Sequence, residues 1–481
     1  MLWKYRRIEN KVMSFELENT IAEFMQIFLH ENPSAFVTEV PQKIKMQKAC
    51  LNFDSREIKK GEIFWALVGK TFNPHRDGFI EEVFKKGAVM SVVNAKEVDI
   101  AKIPIALSVE DTTRALLKFA RGYRKQFQNL KVVGITGSAG KTSTKDMLAA
   151  VISKKCKTLV TKGNLNNLFG VPMTLLGLKS KHEAAVIEMG TSMPGEIRQL
   201  TQAAVPDIAV ITNVAPAHLE GLGDLEGVFK EKKSIVEGFE KSGHLVINAD
   251  DSMLSKIRST AKYDIVTYGI NKGMIKPDEI SWENGCAKFR ISRTWYKLSV
   301  PGMHNVYNAL ASIAVGELLK IPKNVIAEAL LEVKAYDMRM QIIEENGITV
   351  VSDCYNANPH SMKMSLQTLA SMTCKGRKIA VLGDMKELGA HSKEYHREIG
   401  SMLPELSIDY LVAIGNDAIE YCKGAEKAGL KTSRIKYFKD KQNAIDALKF
   451  LIHKNDLVLI KASRSMKLED VSASLLEMEI A

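Results

Sequence analysis

The stretch GITGSAGKTSTKD, residues 134–146, opens with a turn that gathers three glycines, Lys141 and four hydroxyl side chains, Thr136, Ser138, Thr142 and Ser143. Gly134, Gly137 and Gly140 permit tight dihedrals and carry no Cβ, so bare backbone N–H groups can be aimed at an anion. A helix that starts after such a turn adds its positive N-terminal end. Lys141 is placed to reach outer phosphates, and the Thr142 hydroxyl to ligate Mg²⁺. The phosphate-loop formula G-x-x-x-x-G-K-[ST] asks for glycine at position 135, where Ile135 stands, so the turn is a variant of that formula.

Further groups sit where apolar runs end. Glu188 closes AAVIE and offers a hard oxygen of the kind Mg²⁺ prefers; a carboxylate that merely caps a turn is the alternative. His218 follows IAVITNV in APAHLEG, and spacing alone does not decide between a structural and a functional histidine. Lys230, Lys232 and Lys233 lie together in EGVFKEKKSIVEGF, where a solvated basic face is the plainest reading. Asn164, Asn166 and Asn167 can donate to phosphate or carboxylate oxygens without adding charge. His304, Asn305 and Asn308 open a helix, with the two asparagines three apart on one face. Arg339 lies at the edge of the last third of the chain, where a cation reaches a phosphate only on domain closure. Asp353 follows a strand and can accept from a ribose hydroxyl, and Asn358-Pro359 begins a helix.

The elements that must position these groups read as three α/β blocks. The first, residues 1–128, has apolar runs at 63–68 and 88–93 flanking a helix over 78–86. A strong helix follows in VEDTTRALLKFARGYRKQF, with Thr112 or Thr113 as its cap. In the second, residues 129–334, KVVGIT, AAVIEMG, DIAVITNV and HLVINAD alternate with helices. Met147, Leu148, Val151 and Ile152 stripe the first of these. This predicts a mostly parallel sheet covered on both faces. DIVTYGI, CAKFRIS and YKLSV then predict an antiparallel appendage. The third, residues 335–481, repeats the rhythm as a doubly wound Rossmann-like domain without a G-x-G-x-x-G fingerprint, with helices over 359–371, 416–428 and 441–453.

Bulk composition narrows the partners. The 481 residues are 46% hydrophobic and 26% charged, and no apolar run approaches the roughly 18 residues of a membrane helix. The first residues have no apolar leader core, and Met13 is a second candidate start. The net charge of +11 is dispersed, without an arginine-rich arm, so it suits an anionic small substrate rather than nucleic acid. Six scattered cysteines with no C-x-x-C pair fit reduced thiols in a cytoplasm.

In order, GITGSAGKTST, TKGNLNNLFGVPMTLL, VIEMGTSMPGEI, ITNVAPAHLEGLG, HNVYNALAS, DCYNANPHSM, VLGDMKELG and DLVLIKASRSMKLE strongly resemble the Mur ligase family, over roughly residues 45 to 475. In that family Ile135 is expected in place of the first loop glycine. The resemblance implies a UDP-sugar domain, a central ATPase and a C-terminal Rossmann-like domain. YNANPHSM with GDMKELG resembles the branch that joins D-alanyl-D-alanine to UDP-N-acetylmuramoyl-tripeptide, using ATP and two Mg²⁺ sites. It implies Ser55 and Arg56 at the uridine side. Asn164, Asn166, Asn167, Tyr355, Asn356 and Asn358 fall near substrate. His304, Asn305, Asn308 and Asp353 fall at the adenosine side. The family's carbamylated lysine lies fourteen residues after the loop histidine, which from His218 is Lys232. One metal site would then comprise Thr142 and Glu188, and the other His218 and the Lys232 carbamate, with Lys141 and Arg339 on the transferring phosphoryl group. A cytoplasmic monomer is the family expectation. A sibling amide ligase, adding a diamino acid or glutamate, and a nucleotide-dependent switch module are the competing readings. Whether the tripeptide ends in diaminopimelate or lysine is a matter of pocket shape.

Overall fold

The computed structural model describes residues 14–68, 73–74, 78–335 and 337–477. Met13 and most of the segment 69–77 lie outside the described residues.

The centre of the molecule is a six-stranded sheet, all parallel, in the order Tyr263–Tyr268, Gly243–Asn248, Ile208–Ile211, Lys131–Thr136, Ala184–Glu188, Thr158–Val160. Its strands are apolar on both faces because both are covered. Val132, Ala185, Ile187 and Ala209 face one buried cluster, whereas Val133, Ala184, Val186 and Val210 face another, the alternation that a pleated strand imposes. The second cluster is closed by the helices Lys141–Ser153, Met303–Leu318 and Lys323–Glu332. Met147, Leu148, Val151 and Ile152 are buried in it, as their spacing predicts. The chain leaves the central strand for one side of the sheet and later passes to the other, so a crevice opens at the carboxyl end of Lys131–Thr136.

The first six-stranded sheet runs Ser14–Thr20, Lys48–Asn52, Ile63–Trp65, Met90–Asn94, Ala106–Val109, Phe36–Val37, with both outer pairs antiparallel. Helix Thr112–Lys125 joins it to the central sheet: Phe119 packs on Phe24 at 4.8 Å between ring centroids, and the Arg124 guanidinium donates to the Ala204 carbonyl at 3.1 Å. The cap of this helix is Asp111, not a threonine; its carboxylate accepts from the N–H groups of Thr113 and Arg114. The expected helix over 78–86 is Phe79–Lys85, preceded by Gly78 in the left-handed region.

The third six-stranded sheet runs Gln341–Glu345, Ile348–Ser352, Leu457–Lys461, Lys378–Gly383, Tyr410–Ile414, Ile435–Phe438, parallel except for the hairpin at its start. It is covered on both faces by its own helices, including Pro359–Ser371, Ile419–Lys427 and Lys441–Leu451. A second expectation is corrected. DIVTYGI belongs to the central sheet as its parallel edge strand Tyr263–Tyr268, and the antiparallel appendage is Glu279–Glu283, Cys286–Ile291 and Thr294–Pro301. Partly buried, alternating residues look alike on an edge strand of either kind. Among the described residues no helix is long and apolar enough to cross a membrane.

Candidate active site

The phosphate loop lies between the central strand Lys131–Thr136 and the helix Lys141–Ser153. Gly137 has φ +149° and a Cβ there would stand 1.9 Å from Thr212 Oγ1, so glycine is required. Gly140, at φ +78°, has Asn308 Oδ1 2.7 Å from where its Cβ would be. Asn308 is in turn held by Thr144, whose hydroxyl donates to Oδ1 at 3.1 Å, and it donates to Asn305 Oδ1 at 3.0 Å. These buried asparagines therefore fasten the helix Met303–Leu318 to the loop. Lys141 Nζ donates to the Gly137 carbonyl at 2.7 Å. Burial pulls its pKa down while Glu188 pushes it up.

Glu188, at the end of its strand, is buried. Its Oε1 accepts from Thr142 Oγ1 at 3.1 Å and from Asn166 Nδ2 at 2.8 Å. Its Oε2 is buried without a hydrogen bond, and Lys145 Nζ lies 3.9 Å away. A carboxylate fixed by one oxygen with the other unsatisfied, beside a threonine hydroxyl, fits a hard divalent cation. Among the described residues no group of three or more His, Cys, Asp or Glu forms a ready-made metal cage.

His218 adopts φ 55° at the start of the short helix Leu219–Leu222, and its Nδ1 meets Glu387 Oε2 of the third block at 2.5 Å. The three neighbouring lysines separate by exposure: Lys230 and Lys233 are exposed, whereas Lys232 is 1% exposed. Burial first, and Lys141 second, hold the Lys232 amine well below the ordinary lysine pKa. Among the described residues no hydrogen bond or ion pair reaches Lys232 Nζ. Glu231 and Glu196 oppose this shift without cancelling it, and a buried lysine so held gives up its proton readily, which is what reaction with CO₂ requires.

The third block closes over this crevice. Arg339 stacks on the Tyr355 ring at 4.0 Å. Asp353 Oδ2 accepts from Lys461 Nζ at 2.6 Å and from Ser365 Oγ at 2.6 Å. Burial pushes the His304 imidazole down to about 4, and its Nδ1 has no hydrogen-bond partner. Together they enclose a cavity of about 760 Å³. It is lined by Ser138, Gly140, Lys141, Thr142, Ser143, the three asparagines 164, 166 and 167, Glu188 and His218, and across from them by His304, Asn305, Asn308, Arg339, Asp353, Tyr355, Asn356 and Asn358. Asn167 also accepts from the N–H of Gly170 at 2.9 Å, fixing the start of the next helix.

Four expected residues lie outside this lining. Gly137 packs its backbone against Thr212, and Lys232 is buried in the helix Leu225–Lys233. Ser55 and Arg56 lie beyond the strand Lys48–Asn52 of the first sheet, with Arg56 paired to Asp54. Other lining residues were not singled out from sequence: Lys461, Glu387, Lys386 and Asn213. A lysine ending the apolar run DLVLIK, and an asparagine ending IAVITN, were the available signals.

Residues 135–316 match the Mur ligase middle domain, and residues 338–464 match the Mur ligase glutamate ligase domain. A UDP-N-acetylmuramoyl-tripeptide–D-alanyl-D-alanine ligase of Bacillus subtilis is 33% identical over 425 residues, 88% of this chain and 92% of that protein. The crystal structure of MurF from Acinetobacter baumannii superposes with a TM-score of 0.87 at 32% identity, covering 96% of this chain and all of that one. MurF ligase from Thermotoga maritima, solved in complex with ADP, gives a TM-score of 0.79 at 30% identity, covering 89% of this chain and 97% of that one.

Proposed function

The chain belongs to the Mur ligase family, and from that premise we propose that it joins D-alanyl-D-alanine to the tripeptide carboxylate of UDP-N-acetylmuramoyl-tripeptide, converting ATP to ADP and phosphate. The observation that carries this reading is the single cavity in which the phosphate loop and Glu188 face Arg339, Asp353 and the YNAN stretch of the third block. The ADP held by the Thermotoga relative supports ATP as the nucleotide here.

In this reading a tripeptide carboxylate oxygen attacks the γ-phosphorus, the bond to the β-phosphate oxygen breaks, and an acyl phosphate and ADP result. The amine of D-alanyl-D-alanine then adds to the acyl carbon, loses a proton and expels phosphate. Lys141 leaves the Gly137 carbonyl to take the charge of the moving phosphoryl group, and Arg339, held flat by Tyr355, faces the same charge. Gly140, Thr142 and Ser143 offer loop and helix N–H groups to the phosphates, with Ser138 and Gly137 shaping the turn. His304, Asn305, Asn308 and Asp353 form the adenosine side, while the asparagines at 164, 166 and 167, with Tyr355 and Asn356, face the peptide substrates. Ser55 and Arg56 are assigned to the uridine end of the long precursor. Enclosure by the third block keeps water from the acyl phosphate.

Thr142 and Glu188 would hold one Mg²⁺, and His218 with a carbamylated Lys232 a second, supplying charge neutralisation for the phosphates and the reacting carboxylate. The division into residues 1–128 for the UDP-sugar, 129–334 for ATP and 335–481 for the closing Rossmann-like part follows from the same reading. In this reading the chain acts as a monomer. Six free cysteines suit a reducing cytoplasm. The test is isotopic: with heavy oxygen in the tripeptide carboxylate, one labelled oxygen is expected in each released phosphate. Unlabelled phosphate would exclude the acyl phosphate.

A further inference from the structure

Docking of the third block must be felt by the phosphate loop if the two act together. One peptide unit answers this. The Ser138–Ala139 peptide is held at both ends: the Ala139 N–H donates to Asn213 Oδ1 at 2.9 Å, and the Ser138 carbonyl accepts from Asn358 Nδ2 at 3.2 Å. Asn213 belongs to the central sheet's own loop, but Asn358 comes from the third block, 220 residues further along the chain. The next carbonyl, of Ala139, is fixed within the central block by Thr212 Oγ1 at 2.6 Å and Asn213 Nδ2 at 3.1 Å.

Asn358 is itself immobile within its block. Its Oδ1 accepts from the Ser361 N–H at 2.8 Å and its own N–H donates to Ser361 Oγ at 3.0 Å, which caps the helix Pro359–Ser371. The preceding turn is anchored by Lys461 Nζ, which donates to Asp353 Oδ2 and, at 3.2 Å, to the Asn356 carbonyl. The side chain is 9% exposed, and both its polar atoms are engaged. A rigid cap on one block thus spends its spare donor on a loop carbonyl of the other.

We propose that Asn358 is a positioning residue that couples docking of the third block to the shape of the phosphate loop, through the Ser138 carbonyl and without touching nucleotide. When the block is docked, the Ser138–Ala139 peptide cannot rotate, and the N–H groups that follow it stay aimed at the phosphates. When the block is away, that carbonyl loses its partner. This inference rests on the ligase reading of the cavity.

Asn358→Ser separates the two functions of the side chain, because serine caps helices as well as asparagine does but is too short to reach Ser138. Asn358→Asp keeps the cap at nearly equal size and turns an acceptor towards the carbonyl. Three readouts apply to the full chain: the thermal midpoint, ADP affinity by calorimetry, and steady-state kinetics with ATP varied. The expected result for Asn358→Ser is an unchanged midpoint with kcat/KM for ATP reduced about two- to tenfold, the range of one hydrogen bond. A larger loss is expected for Asn358→Asp. ADP affinity should fall with kcat/KM for ATP, while the KM for the UDP-linked substrate holds. Wild-type ADP affinity and kinetics in both variants would overturn the proposal. A lowered midpoint that accounts for the whole loss would reduce Asn358 to a cap and overturn it equally. A wild-type protein without amine-dependent turnover would instead fault the ligase reading, whereas the ADP titration still reports on the coupling.

Discussion

Three lysines within four residues show how burial sorts like from like. Lys230 and Lys233 lie in water, and Lys232 is buried, within the electrostatic reach of Lys141, with a weakened hold on its proton. Lys232→Ala is expected to abolish turnover, with partial return on adding a small carboxylate such as formate, while Lys233→Ala keeps wild-type rates. Full activity in Lys232→Ala would remove the carbamate from the account. The position was legible only through its distance from His218 in a family pattern; nothing in EKKS distinguishes one lysine from the next before the helix packs. His304 gives a second test. Its imidazole, at about 4 in the fold against 6.5 for an ordinary histidine, stays neutral where the unfolded chain is protonated. The unfolded state therefore binds the extra proton, so this contribution to stability is complete above pH 6.5 and is lost as pH falls towards 4. Urea titrations across that window should show a slope that His304→Gln flattens; an unaltered slope would assign the proton elsewhere.

At the scale of elements, the phosphate loop is the part whose shape is most tightly specified. A methyl group at Gly137 meets Thr212 in a backbone region that L-residues avoid. Strain of this kind costs about 1–3 kcal/mol, so Gly137→Ala should weaken ADP binding by about tenfold or more in calorimetry. Unchanged affinity would mean that the loop has another route to the phosphates. This loop, its strand and its helix were readable because glycine, lysine and threonine sit where an apolar run turns into a helical stripe. The cap at Asp111 is not legible in the sequence, since Thr112 and Thr113 beside it are equally good capping types and only the backbone decides. The strand Tyr263–Tyr268 carries no parallel signature in its sequence, because a sheet edge buries too little of it.

The whole molecule divides unevenly. The first and central sheets share one apolar cluster across helix Thr112–Lys125, whereas the third block has two clusters of its own. Expressed alone, residues 335–481 should fold cooperatively and residues 129–334 should not, because cutting at 128 removes the helix that packs on Gly170–Leu176 and Glu196–Ala204, with Tyr123 donating to the Leu178 carbonyl and Arg124 to the Ala204 carbonyl. Chemical denaturation followed by circular dichroism decides this; a soluble, cooperative central fragment would contradict the shared core. Sequence periodicity displayed three α/β blocks but not this sharing, which depends on which helix faces meet. Nor did it display the cross-block pair of His218 and Glu387, at 2.5 Å. The most direct test of the account as a whole is phosphate release from ATP with Mg²⁺ and UDP-N-acetylmuramoyl-tripeptide. The amines offered would be D-alanyl-D-alanine, D-alanine, diaminopimelate, lysine and glutamate in turn. Turnover is expected with D-alanyl-D-alanine alone, giving a product heavier by one dipeptide; turnover with another amine, or hydrolysis indifferent to all of them, would contradict the ligase assignment.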